Sequence, residues 1–313
     1  MKKLMMLAVV ASWAIGTPAP AADEFLPSDI HSIKLWLDAG NTNSLTIMGS
    51  RVALWQDIST NKYRAIQNAH AFRPVYVKDA YNNPPVARQG ARFATNTAGI
   101  VKTHPVLPMV RFFGNSQYFG SFMRTHCVPA TGGDPRTLVV ALANVGHFTF
   151  KSNHVLHYGS PSPMAAYGIA TRLGARNYWG NHYWQGAFDT GVPSQEPDGV
   201  ILVMSYGDGI DKFTSNGGMT ISYQVDLNTA GGTGDKYGIF IGARIFPANG
   251  KGTESGCFDV AEILAFSSAL TVEDRQKVEG YLAHKWDIAD KLPSNHPYKT
   301  ARPTSSPAQT AQN

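Results

Sequence analysis

Short apolar segments separated by turn residues are the feature that most constrains the fold of this chain. Runs such as "IKLWLD" (33–38), "RTLVVALA" (136–143) and "GVILVMSYG" (199–207) recur without amphipathic helices between them. Many short strands at turn-punctuated spacing are typical of antiparallel β-sandwiches. The composition agrees, because 30 Gly and 19 Pro supply turns and only 16% of the residues are charged. We therefore predict one all-β domain.

One helix is predicted near the C-terminus, within "VAEILAFSSALTVEDRQKVEGYLAHKWDI" (260–288). Residues 258–266 are apolar on both faces except for Asp259 and Glu262, which predicts a central strand covered on both sides. Thr271 then provides a natural N-cap. An apolar stripe follows at i, i+3, i+4 and i+8 spacing, formed by Val278, Tyr281, Leu282 and Trp286. The pattern predicts a helix docked on the sandwich in a structural role.

Both termini and one internal segment depart from the strand pattern. A basic start, an apolar run over 4–16 and "APA" at 19–21 predict a cleaved signal peptide over residues 1–21, an N-terminal anchor being the alternative. We therefore expect a secreted, periplasmic or cell-surface protein with no membrane span after cleavage. Residues 78–105 lack periodicity and are predicted to be a long inserted loop. The tail, 299–313, is rich in Pro, Ser and Gln and is predicted to be disordered, so the domain is expected over 22–298.

Charge and cysteine content limit the partners and the covalent links. The formal net charge is +5 with no dense Lys/Arg run, so nucleic acid is not expected as a partner. The two cysteines, Cys127 and Cys257, favour a disulfide in an exported protein. Two buried free thiols are the alternative.

The ends of the domain resemble a known family. "FDVAEILAFSSALTVEDRQKVEGYLAHKWDI…LPSNHPY" is similar to the C-terminal signature of bacterial laminin-G-like, concanavalin A-like lectin/glucanase domains. "LWLDAGNTNSLTIMGSRVALWQDIST" resembles the opening of the same domains, and "LPMVRFFGNSQYF" and "YGIFIGAR" resemble two internal elements. The likeness covers about residues 33–298.

The resemblance implies an antiparallel jelly-roll sandwich of the concanavalin A-like class. Such domains usually bind glycans or proteins, so the resemblance implies a secreted, non-catalytic, lectin-like module for extracellular polysaccharide or a surface protein. A polysaccharide-degrading enzyme on the same fold, a glycosidase or a lyase, is the first alternative. A structural envelope or matrix protein is the second. Fold alone does not decide between them.

The carboxylates favour binding over hydrolysis. Glycosidases need two carboxylates facing one cleft, and the related glucanases carry them as Glu-x-Asp-x-x-Glu on one strand, a triplet that this chain lacks. Asp259 and Glu262 are three residues apart, so a regular strand would direct them to opposite faces. We expect them to pack under the helix or to bond at a strand end.

The densest aromatic segment, "RNYWGNHYWQGAF" (176–188), is the best local candidate for a ligand site. Alternation places Trp179, Asn181 and Tyr183 on one face, and Tyr178, His182 and Trp184 on the other. Exposed rings stack on sugar C–H faces while amides bond hydroxyls. The predicted ligand-binding residues are Trp179, Asn181, Tyr183 and Trp184. The alternative is that the rings fill the core.

Two metal hypotheses follow from polar residues in turns and strands. The resemblance implies Ca²⁺ at the sandwich rim, and Asp208 and Asp211 in "YGDGID" (206–211) are the residues predicted to bind it. The segment "LDAGNTN" (37–43), with Asp38, Asn41 and Asn43, is a second candidate. Ordinary turn chemistry is the alternative for both segments. His154 and His157 are three apart in an apparent strand, so they should lie on opposite faces, and no zinc site is expected.

Overall fold

A computed structural model describes residues 23–82, 105–114, 120–146, 152–172, 178–183, 186–194, 198–231, 237–245 and 252–305. The strands up to the middle of the chain are β1 (Ile33–Asp38), β2 (Leu45–Met48), β3 (Arg51–Gln56), β4 (Arg64–Ile66), β5 (Val75–Val77), β6 (Met109–Phe112), β7 (Met123–Arg124), β8 (Arg136–Gly146), β9 (Ser152–Gly159) and β10 (Ala166–Arg172). Then follow β11 (Tyr178–His182), β12 (Ala187–Pro193), β13 (Val200–Gly207), β14 (Ile210–Ser215), β15 (Ile221–Gln224), β16 (Phe240–Ile241), β17 (Arg244–Ile245), β18 (Gly252–Thr253), β19 (Cys257–Phe266) and the helix α1 (Val272–Lys285).

The strands form two layers. In the first layer β19 pairs with β8 on one side and with β1 and β6 on the other, and β8, β13, β14 and β15 continue outward. The second layer runs β2-β3-β4-β7-β16-β9-β10-β11-β12. Strand β5 pairs with β3 and with β6 and so links the layers. All these ladders are antiparallel, as the sequence predicted.

The layers face each other across a packed core. The Trp179 ring from β11 lies 6.3 Å from the Phe258 ring of β19. Arg136 on β8 donates to the Tyr158 hydroxyl of β9 at 3.1 Å, and its guanidinium lies over the Tyr167 ring of β10. All of these side chains are buried. The result is a mostly antiparallel β-sandwich.

Helix α1 begins and docks as its sequence predicts. The Thr271 hydroxyl accepts a hydrogen bond from the Asp274 backbone N–H at 3.0 Å, which is the expected N-cap. The predicted stripe is buried throughout, at Val278, Tyr281, Leu282 and Trp286. Strand β19 is buried at every position, so the prediction of a doubly covered strand is also confirmed.

One buried carboxylate holds the helix to the sandwich. Glu262 on β19 accepts from Trp36 Nε1 at 2.5 Å, from Trp286 Nε1 at 2.8 Å and from the Tyr281 hydroxyl at 3.1 Å. Lys285 Nζ lies 2.7 Å from the same carboxylate. These five residues belong to the segments that resemble the family signature, so the signature residues have a structural role here.

The expected disulfide is not formed. Cys127 and Cys257 are both buried free thiols. The Cys127 thiol lies 3.9 Å from the Lys34 carbonyl and the Cys257 thiol 3.7 Å from the Gly114 carbonyl. The prediction of a disulfide is therefore wrong in this structure, because each thiol packs against a different part of the backbone.

The limits of the domain can be compared only in part. Residues 1–22 and most of the 78–105 insertion lie outside the described residues. The described chain continues to Ser305, where the Pro303 carbonyl accepts from the Phe25 N–H at 3.1 Å and Arg302 pairs with Glu24 at 2.5 Å. The first part of the predicted tail thus packs against the start of the domain. In the described part of the chain no helix is long and apolar enough to cross a membrane.

Candidate functional site

A pocket of about 240 Å³ lies where the first residues of α1 meet the outer face of the first layer. We call it the helix-side pocket. It is lined by Val203, Ser205, Lys212, Thr214, Thr220, Leu270, Val272 and Arg275. Strand alternation explains this lining. Tyr206 and Asp211 face the second layer, so alternate residues of β13 and β14 point outward, toward the helix.

The polar groups of the helix-side pocket suit a hydroxylated ligand. Ser205 accepts from the Thr137 hydroxyl at 3.1 Å, and the hydroxyls of Thr214 and Thr220 lie 3.2 Å apart. Each hydroxyl is both a donor and an acceptor. Arg275 donates to Glu279 at 2.6 Å, which occupies one of the five N–H donors of a guanidinium. The exposed Lys212 makes no ion pair within the described residues, so it adds a positive charge to the wall.

The predicted aromatic row lies inside the protein. Trp179, Asn181 and Tyr183 do share a face, as alternation predicted, but all three are fully buried between the layers. An exposed sugar-stacking surface made of these residues is therefore wrong, and the packing alternative is right for them. Trp184 lies outside the described residues.

The two aspartates predicted to bind Ca²⁺ do not come together. Asp208 is exposed in the turn between β13 and β14, with φ at +54°. Asp211 is fully buried and accepts hydrogen bonds from the hydroxyls of Tyr167 and Tyr183 and from the Asn181 amide. The paired calcium site is therefore wrong, because one carboxylate faces solvent while the other is enclosed by three donors.

Burial gives Asp211 an unusual acidity. Desolvation raises the pKa of its carboxyl to about 6, and the hydrogen bonds from Tyr183, Tyr167 and Asn181 oppose that rise. Burial beside Asp211 also raises the pKa of both tyrosine hydroxyls. A buried acid with raised pKa often marks a functional site. Here the Asp211 carboxyl is fully buried in the core, and the three side chains that donate hydrogen bonds to it fix its orientation.

Asp259 and Glu262 are both buried, so neither carboxylate faces an open cleft. Arg111 binds both oxygens of Asp259 at 2.6 and 2.7 Å, and both carboxylates are buried. In the pairing of β19 with β8, Val260 and Glu262 lie opposite consecutive residues of β8. Ala261 is therefore an extra residue, and it interrupts the alternation of side chains. The prediction that Asp259 and Glu262 point to opposite faces assumed a regular strand, and the bulge makes the strand irregular between them. Packing under the helix is confirmed for Glu262.

Three histidines gather on the outer face of the second layer, and we call them the histidine cluster. The ring centroids of His154 and His157 are 5.4 Å apart, those of His154 and His182 4.7 Å, and those of His157 and His182 5.6 Å. Burial, followed by the neighbouring histidines and Arg244, lowers the pKa of His154 well below its usual value, although the Glu254 backbone opposes that shift. Two of these residues were predicted to lie on opposite faces, and that prediction is wrong.

The helix-side pocket was missed at the sequence level, although part of its signal was present. Alternation in "VILVMSYG" and "IDKFTS" groups Val203 with Ser205 and Lys212 with Thr214. Alternation alone does not predict that the first turn of a helix near the end of the chain will close the same pocket. Only the pairing of β13 with β8, and of β8 with β19, brings the elements together.

Comparisons with known proteins give distant structural likenesses only. No family model and no curated protein matches the chain. Trypanosoma rangeli sialidase in complex with sialic acid aligns with a TM-score of 0.48 at 13% identity, over 85% of this chain and 36% of the sialidase. Domain 4 of AbnA, a GH43 extracellular arabinanase from Geobacillus stearothermophilus, in complex with arabinotriose, aligns with a TM-score of 0.43 at 12% identity, over 78% of this chain and 96% of that domain. The chain thus spans little more than a third of the sialidase, and likenesses at this level carry no argument about function.

Proposed function

We propose that this protein is an exported, non-catalytic, lectin-like module that binds extracellular carbohydrate in the helix-side pocket. The observation that carries the proposal is the lining of that pocket, where three hydroxyl side chains and two cationic side chains surround about 240 Å³. Ligand sites combine an apolar surface with a few placed polar groups. Val203, Leu270 and Val272 supply the apolar part.

The size and charge of the pocket narrow the ligand. Pockets for drug-sized ligands typically enclose about 300–1,000 Å³, so this smaller one suits one end of a glycan or a single sugar unit. Lys212 favours an acidic group over a neutral one, because its charge is not paired within the described residues. Polysaccharides that carry carboxylate or sulfate groups are the ligand class that this wall fits best.

The lining favours binding over hydrolysis. Glycosidases generally use two carboxylates that flank the bond to be cleaved. The described residues that line the helix-side pocket include no Asp or Glu. The buried carboxylates of Asp259 and Glu262 are engaged with Arg111 and with Lys285. The geometry therefore supports recognition rather than chemistry on the sugar.

The family and the location belong to the same proposal. We infer membership of the laminin-G-like, concanavalin A-like domains, with a jelly-roll connection of the strands, from the segments that resemble that family at both ends of the domain. The two antiparallel layers and the docked helix support this. We also propose that the protein is exported, on the basis of the leader-like sequence over residues 1–21. The proposal predicts that the protein recovered from the producing cells begins at Ala22.

The test is binding of purified protein to a panel of neutral, carboxylated and sulfated polysaccharides, followed by calorimetric titration with the best binder. Lys212→Gln and Thr220→Val should each weaken binding about tenfold, because each removes a polar contact of about 1–2 kcal/mol from the pocket wall. Both positions are exposed, so neither variant should change the melting temperature much.

Arg64→Gln is the matched control, since Arg64 is equally exposed but lies on β4 of the other layer. It should bind as the wild type does. Absence of binding to every polysaccharide would overturn the proposal. Equal binding by wild type and both pocket variants would overturn the assignment of the site.

A further inference from the structure

The histidine cluster comes together because of a bulge in β9. In the pairing of β9 with β10, Leu156 lies opposite Ile169 and His154 lies opposite Ala170, so Val155 is an extra residue. One extra residue reverses the alternation beyond it. Tyr158 faces the first layer through its bond from Arg136, which directs His157 outward. The bulge then directs His154 outward as well.

A glycine in the middle strand lets the third imidazole approach. Gly168 on β10 pairs with His157 on one side and with His182 on the other. A Cβ at Gly168 would come within 2.4 Å of the Leu156 carbonyl and 3.3 Å of the His157 Cβ. Because Gly168 has no side chain between His157 and His182, the ring centroids of these two histidines lie 5.6 Å apart.

Several buried polar groups around the cluster lack hydrogen bonds within the described residues. Apart from its approach to the Glu254 backbone, the His154 ring makes none there, nor do the hydroxyls of Thr253 and Ser255, although all three side chains are at least 96% buried. Ser255 bridges His154 along the backbone. Buried polar groups are normally satisfied, and a group that is not points to a bound water or ion.

The carboxylate of Glu254 lies beside the histidine cluster. Glu254 Oε2 lies 3.6 Å from His154 Nδ1, and Glu254 Oε1 pairs with Arg244 at 2.6 Å. The Glu254 backbone has φ at +50°, a left-handed conformation that costs energy for a residue with a side chain and is concentrated at functional sites. A carboxylate behind a histidine is the arrangement that orients metal-binding imidazoles.

We propose that His154, His157 and His182 form a binding site for a divalent transition metal that prefers imidazole, such as Zn²⁺, with Glu254 as the positioning residue of His154. Three imidazoles on one tetrahedral Zn²⁺, with Zn–N bonds of about 2.0–2.1 Å, have ring centroids about 5 Å apart. The observed separations of 4.7, 5.4 and 5.6 Å match this.

The rings must turn for the metal to bind. As they stand, no three His, Cys, Asp or Glu side chains of the described residues are set to hold an ion, and His154 meets both neighbours edge to face. Rotation about the Cβ–Cγ bond redirects the nitrogens while it leaves each centroid nearly in place, and this torsion of histidine has broad minima. His182 is half-buried, which gives the ion a way in.

The test uses the purified full chain, titrated with Co²⁺ and then with Zn²⁺. Co²⁺ should bind in a one-to-one ratio with the intense visible bands of tetrahedral nitrogen coordination, and Zn²⁺ should displace it and raise the melting temperature. His182→Gln and His157→Gln should each weaken Zn²⁺ binding at least tenfold and abolish the bands. His182 is the safer variant for folding because it is only half-buried.

His70→Gln is the control, since His70 is exposed in a short 3₁₀ helix elsewhere. It should keep both the bands and the affinity. The proposal is overturned if no tetrahedral bands appear in the wild type. It is also overturned if the folded His182→Gln and His157→Gln variants bind Zn²⁺ as tightly as the wild type. The result does not depend on whether the protein binds carbohydrate.

Discussion

The surroundings of Asp211 change the chemistry of its carboxyl group. It lies on β14 with its carboxyl fully buried, and two tyrosines and an asparagine of the second layer donate hydrogen bonds to it. These bonds join the layers at a point where the core is polar. A buried polar network of this kind is costly when it is only partly satisfied, so we expect Asp211 to matter for stability rather than for ligand binding.

The raised pKa of Asp211 predicts a specific pH dependence. The folded state holds the proton up to a pH of about 6, whereas the carboxyl with its ordinary pKa of 3.8 loses it earlier. This stabilising contribution is therefore fully present below about pH 4 and is lost as the pH rises through 6. In Asp211→Asn the amide does not titrate. The free energy of unfolding of the wild type minus that of the variant should fall by about 2–2.5 kcal/mol from pH 4 to pH 7, since the unfolded carboxyl is already partly ionised at pH 4.

Urea unfolding of both proteins at several pH values measures this difference directly. A difference that stays constant from pH 4 to 7 would contradict the account of Asp211. Other titrating groups affect both proteins alike, so they cancel in the comparison.

The predicted aromatic row shows what alternation can and cannot tell. Trp179, Asn181 and Tyr183 share a face, as the period of two requires. Alternation shows that these residues share a face, but it does not show whether that face points into the core or to the outside. They point inward because β11 lies opposite β14 and β19 of the first layer. Which face is covered depends on long-range pairing, and that information is not local in the sequence.

At the level of elements, the strands that lie in the middle of a layer were the easiest to predict. The segments predicted at 199–207 and 258–266 match β13 and β19 within one residue. Short elements were harder to place. Within "YGIFIGAR" (237–244), which resembles an internal element of the family, β16 covers only Phe240–Ile241 before Gly242 turns with φ at +81°. The two bulges, at Val155 and at Ala261, were not visible in the sequence, and each changes which side chains share a face.

Helix α1 is held to β19 mainly by Glu262. Its carboxylate receives two indole N–H groups, one tyrosine hydroxyl and one lysine ammonium. Breaking a buried charge pair by removing one partner typically costs about 3–5 kcal/mol. Lys285 is partly exposed and keeps its contact with Asp38 at 2.8 Å. We therefore expect Glu262→Gln to lower the free energy of unfolding by less than this, about 1.5–3 kcal/mol, because the two indole N–H groups lose a charged acceptor.

Chemical denaturation with Glu273→Gln as the control tests this prediction. Glu273 also pairs with a lysine, Lys277, but at an exposed position on the same helix, so its loss should barely move the unfolding midpoint. If the midpoint of Glu262→Gln equalled that of the control, Glu262 would not be the anchor of the helix.

For the whole molecule, the two outer faces differ in character. The outer face of the first layer carries α1 and, beside it, the helix-side pocket. The outer face of the second layer carries the histidine cluster, with Glu254 and Ser255 against it. The core between the layers holds Trp179, Asn181 and Tyr183, three of the four residues that the sequence alone suggested as a ligand site. Function is therefore expected on the outside of the sandwich, on two surfaces that can be altered separately.

Hydrogen exchange of the protein with and without a saturating amount of the tightest-binding polysaccharide tests the central claim most directly. We predict slower exchange in peptides that cover β13, β14 and the first turn of α1, with no change in β9, β10 and β11. Protection confined to β9, β10 and β11, or no protection anywhere, would contradict the assignment of the helix-side pocket as the carbohydrate site.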